Sequence, residues 1–172
     1  MASGRAFQTA LRLLARRDFF AEELRQRLIR RGFDPDDAAL AVARCVERGL
    51  VDDERLARRF VELRAVARGW GPRRLVAELR RRGVERELAE RAARLAPDLG
   101  AEAVRVALNR VEGRFEPDWW VLPEGRARML SSLVNRGFDA EEARAAVAEL
   151  ATERERKDHA LDDQPGDPGR LP

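Results

Sequence analysis

The chain is poor in the side chains that most often carry chemistry. Its 172 residues include one cysteine, Cys45, one histidine, His159, no tyrosine and a single lysine, Lys157, so that every other basic residue is arginine. A lone cysteine excludes an internal disulfide framework, and one cysteine with one histidine makes no zinc ligand set. Aromatic residues reach only 6%, and no apolar run approaches the roughly 18 residues of a membrane span. With no secretory signal pattern either, the chain is expected to be a cytoplasmic monomer without membrane contact. Cys45 shares the apolar side of a helix with Val42 and Val46 and is read as core filler. No nucleophile stands beside a histidine, no glycine loop runs into a lysine, and acidic pairs such as Asp52-Asp53 fall where helix capping accounts for them. No enzymatic activity, cofactor or metal is therefore expected.

Against these absences stands a motif stated three times: Leu24-Arg-Gln-Arg-Leu-Ile-Arg-Arg-Gly-Phe33, Leu75-Val-Ala-Glu-Leu-Arg-Arg-Arg-Gly-Val84 and Met129-Leu-Ser-Ser-Leu-Val-Asn-Arg-Gly-Phe138. In each copy a leucine precedes a glycine by four residues and a large apolar residue follows the glycine directly. With Gly32, Gly83 and Gly137 in the left-handed conformation just past a helix, the leucine and the apolar residue close a Schellman stop. New helices then begin at Asp34-Pro35, a capping aspartate before an N1 proline, and at Asp139.

Taken in order, the sequence predicts an all-α chain of three tandem three-helix repeats, helix-turn-helix-like units stacked in an elongated, curved row. The first unit, 5–50, has a helix from Arg5 to Ala15 with Phe7, Ala10, Leu11 and Leu14 on one face. A second runs from Ala21 to the Gly32 stop, and a third from Pro35 turns Ala38, Ala41, Val42, Cys45 and Val46 inward. Phe20 stands where a capping side chain would be usual, so Asp18 is expected to cap the second helix. The second unit, 51–96, opens with Asp52 as cap and a stripe of Leu56, Phe60, Leu63 and Ala67, turns at Arg68-Gly-Trp-Gly-Pro72, and ends with a helix from Glu85 to Leu95. The third unit, 97–151, has helices over 101–112, 124–136 and 140–151. Trp119 and Trp120 lie in its longer connection, expected to pack over a unit interface or an end of the stack, with a base-stacking platform as the other use. Residues 152–172, polar and then rich in Asp, Pro and Gly, are expected to be disordered.

Charge is distributed unevenly along these units. The first carries 10 Arg against 7 acids over residues 1–50, the second 13 against 8, and the third 7 against 10, while residues 152–172 hold 4 basic and 6 acidic groups. A helix-turn-helix reader of DNA places the start of its second helix against base edges and phosphates. Here those starts carry Asp34, Asp36 and Asp37, then Glu85 and Glu87, then Asp139, Glu141 and Glu142, which repel the DNA backbone. Sequence-specific reading is therefore not expected. The positive charge lies on the middle helices and the turn before one of them: Arg25, Arg27, Arg30 and Arg31, then Arg64, Arg68, Arg73, Arg74, Arg80, Arg81 and Arg82, with exposed-looking Trp70 among them. Beyond a merely solvated face, such a surface suits phosphates or a carboxylate-bearing partner protein.

The stretch Gly49-Leu-Val-Asp-Asp-Glu-Arg-Leu-Ala57, followed by Arg68-Gly-Trp-Gly-Pro-Arg-Arg-Leu-Val-Ala-Glu-Leu-Arg-Arg-Arg-Gly-Val84, resembles the signature of the RecX regulatory proteins of bacteria. The flanking copies, ending at Gly32-Phe33 and Arg136-Gly-Phe138, resemble that family's first and third repeats, so the likeness spans about residues 6–151. The resemblance implies a non-enzymatic protein that binds RecA recombinase filaments on single-stranded DNA and lowers their ATPase, strand-exchange and coprotease activities. The competing reading is a stand-alone, sequence-independent module for single-stranded or duplex DNA.

Overall fold

A computed structural model describes residues 2–94, 97–115 and 118–162. Among them are nine helices and no strand: α1 (Ala2–Leu14), α2 (Ala21–Ile29), α3 (Pro35–Glu47), α4 (Asp53–Arg68), α5 (Pro72–Arg81), α6 (Arg86–Arg94), α7 (Pro97–Glu112), α8 (Pro123–Asn135) and α9 (Ala140–Asp162). Prolines open α3, α5 and α8 at their first turn, where the missing N–H costs nothing. The middle helices end on glycines of positive φ: +87° at Gly32, +85° at Gly83 and +93° at Gly137. After each, the next residue donates back to the leucine carbonyl, Phe33 to Leu28 at 3.3 Å, Val84 to Leu79 at 3.1 Å and Phe138 to Leu133 at 3.3 Å. The carbonyls that a helix end would leave bare are thereby satisfied.

Two hydrophobic cores hold the nine helices together. The first lies within α1–α3 and comprises Ala6, Phe7, Ala10, Leu13, Leu24, Leu28, Ala38, Ala41, Val42 and Cys45, with Phe19 and Val51 at its edges. The second is shared by the remaining units: Phe60, Val61, Leu75 and Leu79 pack with Val104, Leu108, Trp119, Met129, Leu133 and Phe138. Helix α4 lies against α7, so the second and third units share one core. Phe20, just before α2, is buried in this second core and ties the first unit to it.

Several expectations are corrected here. Leu11 is exposed and Leu13 takes its place in the core, because the buried face of α1 runs Ala6, Ala10 and Leu13 against α3. Val46, Leu63 and Ala67 are exposed as well. On α4 the inward stripe is Ala57, Phe60, Val61 and Ala65, since that helix is covered on two sides, by α6 and by α7. Asp18 does not cap α2 but pairs with Arg59 at 3.6 Å. The cap comes from the next unit, whose Asp53 Oδ1 accepts from the Ala21 N–H at 2.8 Å. The last helix does not stop at Ala151: it continues to Asp162, tied by Arg154 to Glu112 at 2.7 Å, by Arg126 to Glu155 at 2.7 Å and by the helical pair Lys157 and Glu153 at 2.6 Å. Of the tail expected to be disordered, residues 163–172 lie outside the described residues. Trp119 is 2% exposed, with its ring 6.2 Å from Phe115 and 6.3 Å from Trp120, so it serves as core and is closed to base stacking.

The helix stops also make the joints between units. A Cβ on Gly83 would stand 2.6 Å from Glu22 Cγ at the start of α2, and one on Gly137 would stand 2.6 Å from Arg74 Cβ at the start of α5. The second and third units thus each rest the glycine that ends their middle helix on the first turn of the preceding unit's middle helix. At Gly32, in the first unit, nothing lies within 4 Å of the corresponding position.

Candidate functional site

The turn between α4 and α5 is pinned to the third unit through its backbone. Gly69 closes α4 at φ +59°, and the Gly71 N–H donates to the Arg136 carbonyl at 2.8 Å and the Arg73 N–H to that of Gly137 at 3.0 Å. A side chain at Gly71 would collide with the Gly137-Phe138 peptide, so only glycine permits this approach. The consequence is to hold Trp70 at the seam between the second and third units. Its half-buried ring packs at 6.4 Å from Phe60. The guanidinium groups of Arg74, Arg64 and Arg68 lie 4.4, 5.7 and 6.0 Å from its centroid, and Arg82 and Arg64 lie 4.9 and 5.6 Å from that of Phe60. At such distances arginine is attracted to the aromatic face.

The third unit completes the cluster. Arg110 of α7 donates to the Ala67 carbonyl at 2.9 Å and Arg136 to the Arg68 carbonyl at 3.0 Å. Both guanidinium groups therefore sit on the negative end of the α4 dipole, which fixes their position. An open cleft of about 630 Å3 results, lined by Arg68, Arg74, Arg110, Arg136, Trp70, Asn135 and Ala67 and by no carboxylate. Burial lowers the Arg136 pKa from its usual value, and the positive charges of Arg114, Arg110 and Arg74 lower it further. Four guanidinium groups of one sign thus line the cleft beside the Trp70 ring, two of them held by hydrogen bonds, an arrangement whose chemistry suits anionic oxygens.

Not all of the arginines singled out in the sequence share this environment. Arg81 and Arg82 are bound to Glu78 at 2.7 and 3.3 Å, Arg25 to Glu22 at 2.7 Å and Arg73 to Asp139 at 2.8 Å. The Arg81 hydrogen bond, against the opposing effect of burial, holds Glu78 below the usual carboxylate range, and Arg82 adds to it. Arg30, Arg80, Arg81 and Arg82 line another cleft, between the first and second units, but share it with Glu22 and Glu23. Arg80 donates there to the Val84 carbonyl at 3.3 Å, while Arg27 on α2 and Arg31 in the turn after it are exposed. The cleft between the first and second units is thus mixed in sign, and the cleft at Trp70 between the second and third is lined by positive charge alone. Arg110 and Arg136 escape a reading of the sequence because they belong to the unit with net negative charge. The one signal is the position of Arg136 beside its helix stop, equivalent to that of Arg82.

Comparison with known proteins agrees with the repeat architecture. Residues 6–45 match the model for the RecX first three-helix domain and residues 52–92 that for the RecX second three-helix domain. The chain is 41% identical to regulatory protein RecX of Chromohalobacter salexigens over 140 residues, 81% of this chain and 88% of that protein. It is 38% identical to regulatory protein RecX of Halorhodospira halophila over 155 residues, 90% of this chain and 94% of the relative. Its fold superposes on the crystal structure of RecX from Lactobacillus salivarius with a TM-score of 0.74 at 19% identity, over 88% of this chain and 97% of the other. With this identity extending over nearly the whole length of both relatives, the chain belongs to the RecX family of regulatory proteins.

Proposed function

We propose that the protein binds RecA filaments assembled on single-stranded DNA and acts as a negative modulator of their ATPase, strand-exchange and coprotease activities. Membership of the RecX family supports the partner, and the carboxylate-free arginine cleft around Trp70 supports the location of the contact. The protein acts by occupancy and not by catalysis. A row of repeats bridges neighbouring protomers, so that several weak contacts add through effective concentration. The arginines engage acidic groups of the filament, and their long-range field speeds encounter at low salt.

The test is the RecA ATPase on single-stranded DNA, titrated with the protein while DNA coverage is followed in parallel. A RecA-directed modulator inhibits at concentrations far below those that coat the DNA. Inhibition that merely follows coating would instead assign the protein to the class of stand-alone DNA-binding modules. No effect on RecA at any concentration would leave a scaffold with another partner.

A further inference from the structure

The two joints of the chain are built differently. Across the second, α4 lies along α7, one core runs through both units, and the hydrogen bonds of Gly71, Arg73, Arg110 and Arg136 pass from one unit to the other. Across the first, no helix of α1–α3 packs along a helix of α4–α9 among the described residues. Phe20, 1% exposed, is set into the second core, and Glu22 lies against Gly83. The other links are the Asp53 cap on Ala21 and the exposed Asp18–Arg59 pair, the one ion pair across this joint among the described residues. Beside the cleft between these units the ion pairs close within a unit, Arg17 on Glu23 and Arg25 on Glu22 on one side, Arg81 on Glu78 on the other. The chain crosses at a single residue. Val51 is buried in the first core and its N–H donates to the Cys45 carbonyl at 3.4 Å, while Asp52 already caps α4 by accepting from the Arg55 N–H at 2.9 Å. Between them stands the extended backbone of Asp52, φ −141° and ψ 96°.

We infer that the first unit is a hinged arm, which swings about Asp52 by withdrawing Phe20 while the second and third units move as one rigid body. A hinge is a residue or two whose dihedrals absorb a rotation between packed bodies. Each body here keeps its own core when the joint opens, because the first core lies wholly within α1–α3 and its flanking residues. Opening exposes one phenyl ring and frees the Ala21 N–H, whereas opening the second joint would split a core shared by two units. Local opening follows the boundary with the fewest buried apolar contacts, which is the first joint. The swing widens the cleft of about 750 Å3 that lies between Gln26 and Arg30 on one side and Arg80 and Gly83 on the other, and it leaves the Trp70 cleft as it is. A partner that touches the first unit and the Trp70 cleft together therefore selects one angle of the arm. The inference concerns the chain alone and holds whichever partner that cleft receives.

The test uses the full chain carrying Cys45→Ala and nitroxide labels on two introduced cysteines. Leu40→Cys with Leu63→Cys spans the first joint and Leu63→Cys with Arg144→Cys the second, all at exposed positions. Double electron–electron resonance should give a distance distribution at least about twice as wide for the first pair as for the second, as a hinge beside a rigid body requires. Phe20→Ala should broaden or lengthen the first distribution further and leave the second unchanged. Val147→Ala, which trims the same core within the third unit, should change neither. Should Phe20→Ala fail to fold by circular dichroism, Asp53→Ala removes only the Ala21 cap and should move the first distribution in the same direction. A first distribution as narrow as the second in the parent overturns the hinge. So does a first distribution that the joint variant leaves unchanged, or one that broadens only as the second does.

Discussion

The three helix-stop glycines are equivalent in sequence and unequal in the structure, which makes them a controlled experiment on the joints between units. Alanine at Gly32 meets nothing within 4 Å, so its cost is the left-handed backbone alone, about 1–2 kcal/mol. At Gly83 the same Cβ would lie 2.6 Å from Glu22 Cγ and 2.7 Å from its Cβ. Glu22 must move, and with it the hydrogen bonds that its carboxylate receives from Arg25 at 2.7 and 2.8 Å. These are surface contacts, worth less than about 1 kcal/mol. At Gly137 the Cβ meets the backbone of Arg74, with Cα at 3.0 Å, and a helix start cannot rotate aside. The seam has to open, straining the Gly71 N–H to Arg136 and Arg73 N–H to Gly137 hydrogen bonds. Each contributes about 1 kcal/mol net, and a buried group left without its partner costs about 1–3 kcal/mol. Gly137→Ala should therefore lose about 3–5 kcal/mol, adding those terms to the strain. Urea unfolding followed by circular dichroism should rank the losses Gly32→Ala, Gly83→Ala, Gly137→Ala in increasing order. Equal losses at Gly32 and Gly137 would refute the role of Gly137 as a joint.

Three other predictions concern the links between units and the cores. Burial is the main cause that raises the Asp53 carboxyl above its ordinary range, with Asp52 and Glu85 adding and the Ala21 N–H opposing. The folded state therefore holds this proton to higher pH than the unfolded chain does, and stability falls as pH rises from the usual carboxylate range through the folded value. Asp53→Asn keeps an acceptor for Ala21 without the charge and should flatten that fall, whereas Asp53→Ala should be about 1 kcal/mol less stable than the asparagine variant; parallel pH curves for parent and asparagine variant would contradict this. Burial also pushes the Cys45 thiol up, so iodoacetamide should label the native protein far more slowly than the urea-unfolded chain, and equal rates would show an open first core. Trp119→Ala should cost about 3–5 kcal/mol and lower the melting of the joint core, while a loss within about 0.5 kcal/mol, as at ordinary surface positions, would mean that Trp119 is not the core residue described.

What the sequence reveals and what it hides divide along local and non-local physics. Helix ends were legible because capping is decided within a few residues: Asp34 Oδ1 accepts from the Asp36 N–H at 2.9 Å, Asp52 Oδ1 from Arg55 at 2.9 Å and Asp139 Oδ1 from Glu141 at 2.9 Å. The cap of α2 was not legible, because Asp53 reaches it from the next unit and Asp18 is the nearest carboxylate before the helix in the chain. Periodicity identified α1 and α4 as amphipathic but misplaced Leu11, Leu63 and Ala67, since which side of a helix is buried is set by the neighbours it packs on, α3 for α1 and α6 and α7 for α4. In the same way a count of charge along the chain pointed to the second unit. It missed Arg110 and Arg136, which the third unit brings to the cleft while its acidic residues stay out of it, Asp139 on Arg73 and Glu112 on Arg154.

The account stands on the difference between arginines that already hold carboxylates and those that do not. RecA-filament binding should therefore be measured for Arg68→Glu/Arg74→Glu beside Arg81→Glu/Arg82→Glu, at one ionic strength and after circular dichroism has shown both folds intact. The first pair changes the carboxylate-free cleft at Trp70, and the second changes groups already bound to Glu78. The account predicts at least about tenfold weaker binding for the first pair, a loss of about 1.4 kcal/mol or more, and a clearly smaller loss for the second. Equal losses, or the larger loss in the second pair, would contradict it.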